Sequence, residues 1–231
     1  YANSTTMVYG SDDEFVISLK DSYGNPLSDR LLVISFDGIS SDRTSHIRCS
    51  YNGMTGKGGY VTFNSTELDS GTYNVTITSE NCDEIEVKVT VIGAPLIVTA
   101  KSSSIYYGAD EGFVLTLKDA NGNPVANTSF KMRYADSNKL FGKFSTDEKG
   151  MATISSANLD LGTYEFNVVC SNYAIVPIDL TVKSTIAASD VGGTYMDSEI
   201  TATFLNTNGN ALTSRSVTFK VDGKTYSATT N

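Results

Sequence analysis

The sequence predicts an all-β chain built as tandem sandwiches, and three observations carry that prediction. A long segment repeats, apolar residues alternate with period two inside each repeat, and turn residues recur every ~8–12 residues. The repeat is visible directly: "YGSDDEFVISLKDSYGNPL" from Tyr9 aligns without a gap to "YGADEGFVLTLKDANGNPV" from Tyr107, an offset of 98 residues. A second anchor, "LDSGTYNVTI" from Leu68, matches "LDLGTYEFNV" from Leu159 at an offset of 91. The difference between the offsets is an insertion in the first copy, within Ile39 to Gly59, "ISSDRTSHIRCSYNGMTGKGG". It is expected to be a loop, because loops absorb added residues at lower cost than strands. A third copy starts near "TYMDSEITATFLNTNGNAL" from Thr194 and runs through "SVTFKVDGKTYSATTN" without a "GTY" anchor. The division expected is therefore 1–93, 94–183 and a partial unit at 184–231.

Within the first unit Phe15, Ile17 and Leu19 alternate with Val16, Ser18 and Lys20, which is the signature of a sheet with one buried face. The same alternation recurs at Tyr73, Val75 and Ile77 and at Ile85, Val87 and Val89. The second unit has it at Phe113, Leu115 and Leu117, at Phe130, Met132 and Tyr134, and at Ile178, Leu180 and Val182. No stretch keeps an i, i+3, i+4 apolar stripe over three turns, so no helix is expected. Turns are expected at Gly24-Asn25-Pro26, Asp37-Gly38, Gly58-Gly59, Gly122-Asn123-Pro124, Asn208-Gly209 and Asp222-Gly223. About seven short strands in each ~90 residues point to tandem immunoglobulin-like β-sandwiches. The chain has no Trp, so the core Trp and paired Cys of antibody domains are absent and packing must hold each unit.

The twice-repeated "LKD..GNP" reads as strand end followed by tight turn. Leu19 and Leu117 should point inward and Lys20 and Lys118 outward, while Asp21 and Asp119 accept turn amides. Gly24, Gly122 and Gly209 supply positive φ at little steric cost. "GTY" resembles the tyrosine corner, in which a hydroxyl ties down a sandwich connection. Gly93-Ala94-Pro95 is a short junction between two apolar runs and should restrict swinging of one unit against the next. A second short junction lies near "VKSTIAASD".

The composition removes several functions. A net charge of -9 gives no phosphate-tracking basic face, so nucleic acid is not an expected partner. No apolar run approaches the ~20 residues of a membrane span and no basic-then-apolar leader opens the chain, so a soluble segment without membrane insertion is expected. His46 is the only histidine and lies in the insertion away from any nucleophile, so no catalytic triad can assemble and no enzyme is expected. No cofactor and no metal are called for: the acidic stretches Asp12-Asp13-Glu14 and Asp110-Glu111 lack the spacing of a calcium loop. Cys49 and Cys82 could pair within one unit or remain free thiols that pack, and Cys170 has no partner left. Sequons at Asn3, Asn64, Asn74 and Asn127 are candidate N-glycosylation sites if the chain is exported. Most tyrosines fall at repeat-equivalent positions and read as structural. Tyr51 and Tyr60, with His46, surround the insertion and are the candidate ligand contacts.

The pattern "YG...F.(V/I).LKD..GNPL", followed by an aromatic alternating strand, a Gly before "AT" and "L..GTY", resembles the immunoglobulin-like repeats of adhesin-like surface proteins of methanogenic archaea. Those are relatives of the bacterial immunoglobulin-like domains of invasins and intimins. The resemblance implies a long extracellular protein held at the cell surface, in which such repeats form a non-enzymatic stalk carrying a binding tip elsewhere. Partners would be neighbouring repeats of the same protein and a host or microbial surface glycan or protein. The chain departs from the pattern in the insertion, and because Tyr1 aligns near Thr99 the first strand of unit one is expected to be missing. Two other readings follow from the residues: the insertion 39–59 as a glycan- or protein-binding element, or a filament or sheath subunit whose partial third unit is completed by strand exchange between chains.

Overall fold

In the computed structural model, which describes residues 1–188 and 201–231, each apolar alternation becomes a strand with one buried side. Phe15 and Ile17 are 0% and 2% exposed on β2 (Glu14–Ser18), while Val16 between them is 42% exposed. The first unit adds β1 (Thr5–Val8), β3 (Leu31–Ser40), β4 (His46–Met54), β5 (Tyr60–Asn64), β6 (Gly71–Ser79) and β7 (Ile85–Ile92). The second has β8 (Leu96–Ala100), β9 (Ser104–Tyr106), β10 (Phe113–Asp119), β11 (Ser129–Tyr134), β12 (Leu140–Ser145), β13 (Met151–Ile154), β14 (Gly162–Cys170) and β15 (Val176–Lys183).

The strand orders are the same in both units. One sheet runs β1-β7-β6-β3-β4 and its counterpart β9-β15-β14-β11-β12, each with a short parallel strand at one end. The opposing sheet is β2-β5 in the first unit and β8-β10-β13 in the second. Two sheets closed over one core in this order are an immunoglobulin-like sandwich, and among the described residues there is no helix. In the first unit the bridge Ala2 to Ile17 occupies the register of Ala100 to Leu115 in the second. Phe15, Phe36, Tyr73, Val75 and Val89 centre one core, and Phe113, Leu115, Met132, Phe166 and Leu180 centre a separate one.

The repeated motifs are all spent on folding. Asp21 Oδ1 accepts the amides of Tyr23 and Asn25 at 2.9 and 2.8 Å, and Asp119 Oδ1 accepts those of Asn121 and Asn123 at the same distances. Asn206 does the same for Asn208 and Asn210. The side-chain hydrogen bonds from Asn25 and Asn123, then the turn amides, hold the Asp21 and Asp119 carboxyls below the usual aspartate range. The tyrosine corner is present in both units: Tyr73 donates its hydroxyl to the Asp69 carbonyl at 2.6 Å, and Tyr164 to that of Asp160 at 3.1 Å.

Two expectations about the first unit need correction. Asp37-Gly38 is not a turn; both lie inside β3, where a Cβ on Gly38 would stand 2.3 Å from the Thr72 carbonyl oxygen and 2.6 Å from the Tyr73 ring. The glycine marks a close approach of strands. Nor is the insertion 39–59 a loop. β3 continues through Ser40 and β4 returns from His46 to Met54, pairing without a register break from Ile39↔His46 to Leu31↔Met54. The added residues lengthen a hairpin, whose counterpart in the second unit has six-residue arms.

Beyond Lys183, β16 (Ile186–Ala188) pairs with β17 (Ala202–Phe204), and β18 (Ser216–Val221) with β19 (Lys224–Thr229). The expected start of the third copy, Thr194 onward to residue 200, lies outside the described residues. Among the described residues of this part none is buried, and Phe219 and Tyr226 stack at 5.7 Å while 42% and 46% exposed.

Candidate functional site

The lengthened hairpin brings the first unit onto the second. At its tip Arg43 turns the chain with φ 56, and Asp42 gathers the donors around it. Ser40 Oγ and Thr44 Oγ1 each donate to Asp42 at 2.7 Å, and the Thr44 amide donates at 3.0 Å. Lys131 Nζ, from β11 of the other unit, lies 3.4 Å from Asp42 Oδ2. Burial by itself would raise the Asp42 pKa. The hydrogen bonds from Thr44 and Ser40 and the charge of Lys131 outweigh it and hold the carboxyl well below the usual aspartate range.

A second set of contacts closes the junction beside the tip. Asn172, at φ 64 in the β14–β15 connection, accepts the Ser70 amide at 2.8 Å and donates to Asp69 Oδ1 at 2.9 Å. Beside this contact the connecting segment is pinned to the second unit, with the Ala94 amide donating to the Asn172 carbonyl and the Ala174 amide to the Ala94 carbonyl, both at 2.8 Å. Between tip and clasp lies a cleft of about 500 Å³, bounded by Ser41, Asp42 and Asp69 of the first unit and by Lys131, Lys143 and Ser145 of the second. Its polar lining is largely self-satisfied: Ser41 bonds Ser70 at 2.9 Å and Ser129 bonds Ser145 at 3.1 Å.

The candidate contacts do not converge on this cleft or on each other. Tyr51 lies on the inward side of β4, with its ring edge-on to Phe36 and Phe63 at 5.7 and 5.5 Å, and remains 38% exposed. His46 is on the outward side, where its Nε2 is 2.8 Å from Asp37 Oδ1 and Arg48 holds the other oxygen at 3.1 Å. Tyr60 is on β5 of the opposing sheet and is 51% exposed.

Cys49 and Cys82 are both free thiols. Cys49 pairs with Phe36 in the middle of the edge strand, while Cys82 follows Ser79 in the β6–β7 turn, two strands across and beyond the Leu32 end of the sheet. That exceeds the ~7 Å Cα limit of a disulfide. Cys170 is buried, and burial pushes its thiol up to about 11. Asn3, Asn64, Asn74 and Asn127 are all exposed. No group of three or more metal-ligating side chains is found among the described residues.

The residues that join the units, Asp42, Lys131, Asn172 and Tyr173, escape a sequence reading. Asn172 carries one partial signal, since it aligns with Asn81 of the first unit, and both adopt positive φ, 64 and 58. That predicts a turn. The clasp on Asp69 and Ser70 exists only because another unit lies beside it.

No protein-family model matches the chain. It is 25% identical over 243 residues to the inverse autotransporter adhesin YeeJ of Escherichia coli (strain K12), a match that covers 93% of this chain and 10% of that protein. The chain thus spans about a tenth of the length of this curated relative. Among solved structures it is similar to the adhesin InvE of Yersinia pseudotuberculosis, with a TM-score of 0.39, 16% identity, and coverage of 77% of this chain and 56% of that one. It is also similar to invasin, a bacterial integrin-binding protein, with a TM-score of 0.33, 16% identity, and coverage of 86% and 44%.

Proposed function

We propose that the chain is a non-enzymatic structural segment of an extracellular cell-surface adhesin, with immunoglobulin-like units at 1–93 and 94–183 and a partial third at 184–231. Its role is to extend or present a binding region. The observation that carries this is the junction, where the Asn172 side chain bonds Ser70 and Asp69 of the preceding unit, Lys131 meets Asp42, and Ala94 of the connecting segment is fixed by backbone hydrogen bonds instead of being left as a free linker. The use of every repeated motif as a turn or a corner supports it, as does the 25% identity with an adhesin over most of the chain. The motif resemblance supports a parent among the adhesin-like surface proteins of methanogenic archaea. The exposure of Asn3, Asn64, Asn74 and Asn127 suits glycan attachment in an exported protein. Neighbouring repeats are its immediate partners, and nucleic acid is not one. Solution scattering tests the proposal: an elongated particle with one preferred inter-unit angle is expected, and a compact globule or a freely swinging pair would overturn it.

The cleft favours a second reading, in which the insertion 39–59 binds a surface glycan or protein through its tip, where Ser40, Ser41 and Asp42 face the second unit. Shortening the hairpin to the length of its counterpart should then abolish capture of glycans on an array while both units still fold. Unchanged capture would dismiss the glycan form of this reading.

A further inference from the structure

The two sandwiches treat the same sheet edge differently. In the second unit the edge strand β12 is six residues long, contains Lys143 and meets a register shift between Met132 and Arg133. Shortness, lysine and bulges are devices that keep an open edge from pairing with another chain. The remaining edge strands β1, β2, β5, β8, β9 and β13 are three to five residues long. β4 has none of these devices: it runs nine residues, has no Lys or Pro, and pairs with β3 in unbroken register.

The hydrogen-bond phase of β4 identifies which of its backbone groups are open. The Ser40 amide donates to the Ser45 carbonyl and the Thr55 amide to the Arg30 carbonyl, both at 2.9 Å, so 40↔45 and 30↔55 are hydrogen-bonded pairs. Because antiparallel pairs alternate, Ile47, Cys49, Tyr51 and Gly53 turn their amides and carbonyls toward β3. His46, Arg48, Ser50, Asn52 and Met54 turn theirs to the open side.

We propose that this edge pairs with β4 of a second copy of the chain, antiparallel about a two-fold axis at Ser50, joining two five-stranded sheets into one. That register uses all five open residues. It places Arg48 opposite Asn52 and His46 opposite Met54 of the other copy, so no like charges face each other, whereas an axis at Arg48 would oppose two guanidiniums. On the inward side it sets Gly53 against Ile47 and Tyr51 against Cys49. β4 contains no acidic residue, and Asp37 neutralises Arg48 from within the same copy at 3.1 Å, so the net charge of -9 is not concentrated at the contact. The proposal is independent of the stalk reading.

Sedimentation of the 231-residue chain over a concentration series tests it. A concentration-dependent dimer is expected. Asn52→Asp, which places a carboxylate opposite Arg48 twice per dimer, should tighten it severalfold, and Asn52→Lys should loosen it severalfold. Ser50→Pro removes the central open donor without removing a β3–β4 bond and should leave a folded monomer by circular dichroism. A monomer at every concentration overturns the proposal and leaves the stalk reading intact. A dimer indifferent to both Asn52 substitutions overturns it equally.

Discussion

Replacing Phe36 by Ala should destabilise the first sandwich by about 3–5 kcal/mol and leave the second standing. Phe36 is 1% exposed and is the hub of the first core, with ring centroids 5.4 to 6.5 Å from Phe63, Tyr51, Tyr73 and Phe15, all near-perpendicular. Truncation removes the buried ring and those edge-to-face contacts, each worth ~0.5–1.5 kcal/mol beyond area alone. A domain of this size has ~5–15 kcal/mol in total, so the loss is a large share of its stability. Hydrogen exchange resolved by unit is the measurement. Amides of β3 and β6 should exchange much faster while those of β11 and β14 keep their protection, and Phe166→Ala, at a position 0% exposed in the other core, should show the reverse. If either substitution lowered both units together, the two cores would be one cooperative system.

Gly93→Val should separate the two units while both remain folded. A Cβ at Gly93 would lie 2.3 Å from the Tyr173 carbonyl carbon and 2.7 Å from the Ala174 nitrogen, backbone atoms that cannot move aside locally. The strand bridge Ala94↔Tyr173, which pins the connecting segment to the second unit, must open, and with it the hydrogen bonds donated by the Ala94 and Ala174 amides. Loss of protection at those two amides, unchanged protection in both cores and a broader distribution of inter-unit distances in scattering are expected. Retained protection at Ala94 would show that the junction does not depend on this approach. The tip of the β3–β4 hairpin beside this junction should loosen in acid, because the Thr44 and Ser40 hydrogen bonds within the tip do most to depress Asp42 and the Lys131 charge across the units adds least. The Asp42 pKa is depressed in the folded protein, so its contribution is present in full above about pH 4, the ordinary aspartate value, and falls away as pH drops toward the folded-state value. Asp42→Asn should remove that acid sensitivity, with hydrogen exchange of the Thr44 and Ser45 amides as a function of pH as the readout.

Much of the fold was legible because a sheet writes its burial into the chain with period two. Alternation points Phe15 and Ile17, Tyr73 and Val75, and Phe113 and Leu115 inward, and they are 0–2% exposed. β4 is not legible in the sequence because its inward row is Ile47, Cys49, Tyr51 and Gly53, set in the polar run "SHIRCSYNGM"; only Ile47 is a strong apolar signal there. Asp37-Gly38 is a turn signature locally, whereas this glycine answers to Thr72 and Tyr73, more than thirty residues away. The candidate contacts Tyr51, Tyr60 and His46 were neighbours in sequence, but strand pleating put Tyr51 and His46 on opposite sides of one sheet and Tyr60 on the other sheet.

By itself the sequence determined the repeat, the all-β class, the Asx turns at Asp21 and Asp119 and the tyrosine corners at Tyr73 and Tyr164. The turns, the corners and the strand alternation depend on residues within a few positions of one another, so local chemistry is enough to specify them, and the repeat is that local chemistry written twice. Only the tertiary structure decided that the insertion is a hairpin, that its tip meets Lys131 of the next unit, that Asn172 clasps Asp69, and that β4 presents an unprotected edge. Those follow from which strand lies beside which and how two sandwiches abut, and such long-range placements are set by the summed packing of both cores rather than by any short stretch of chain.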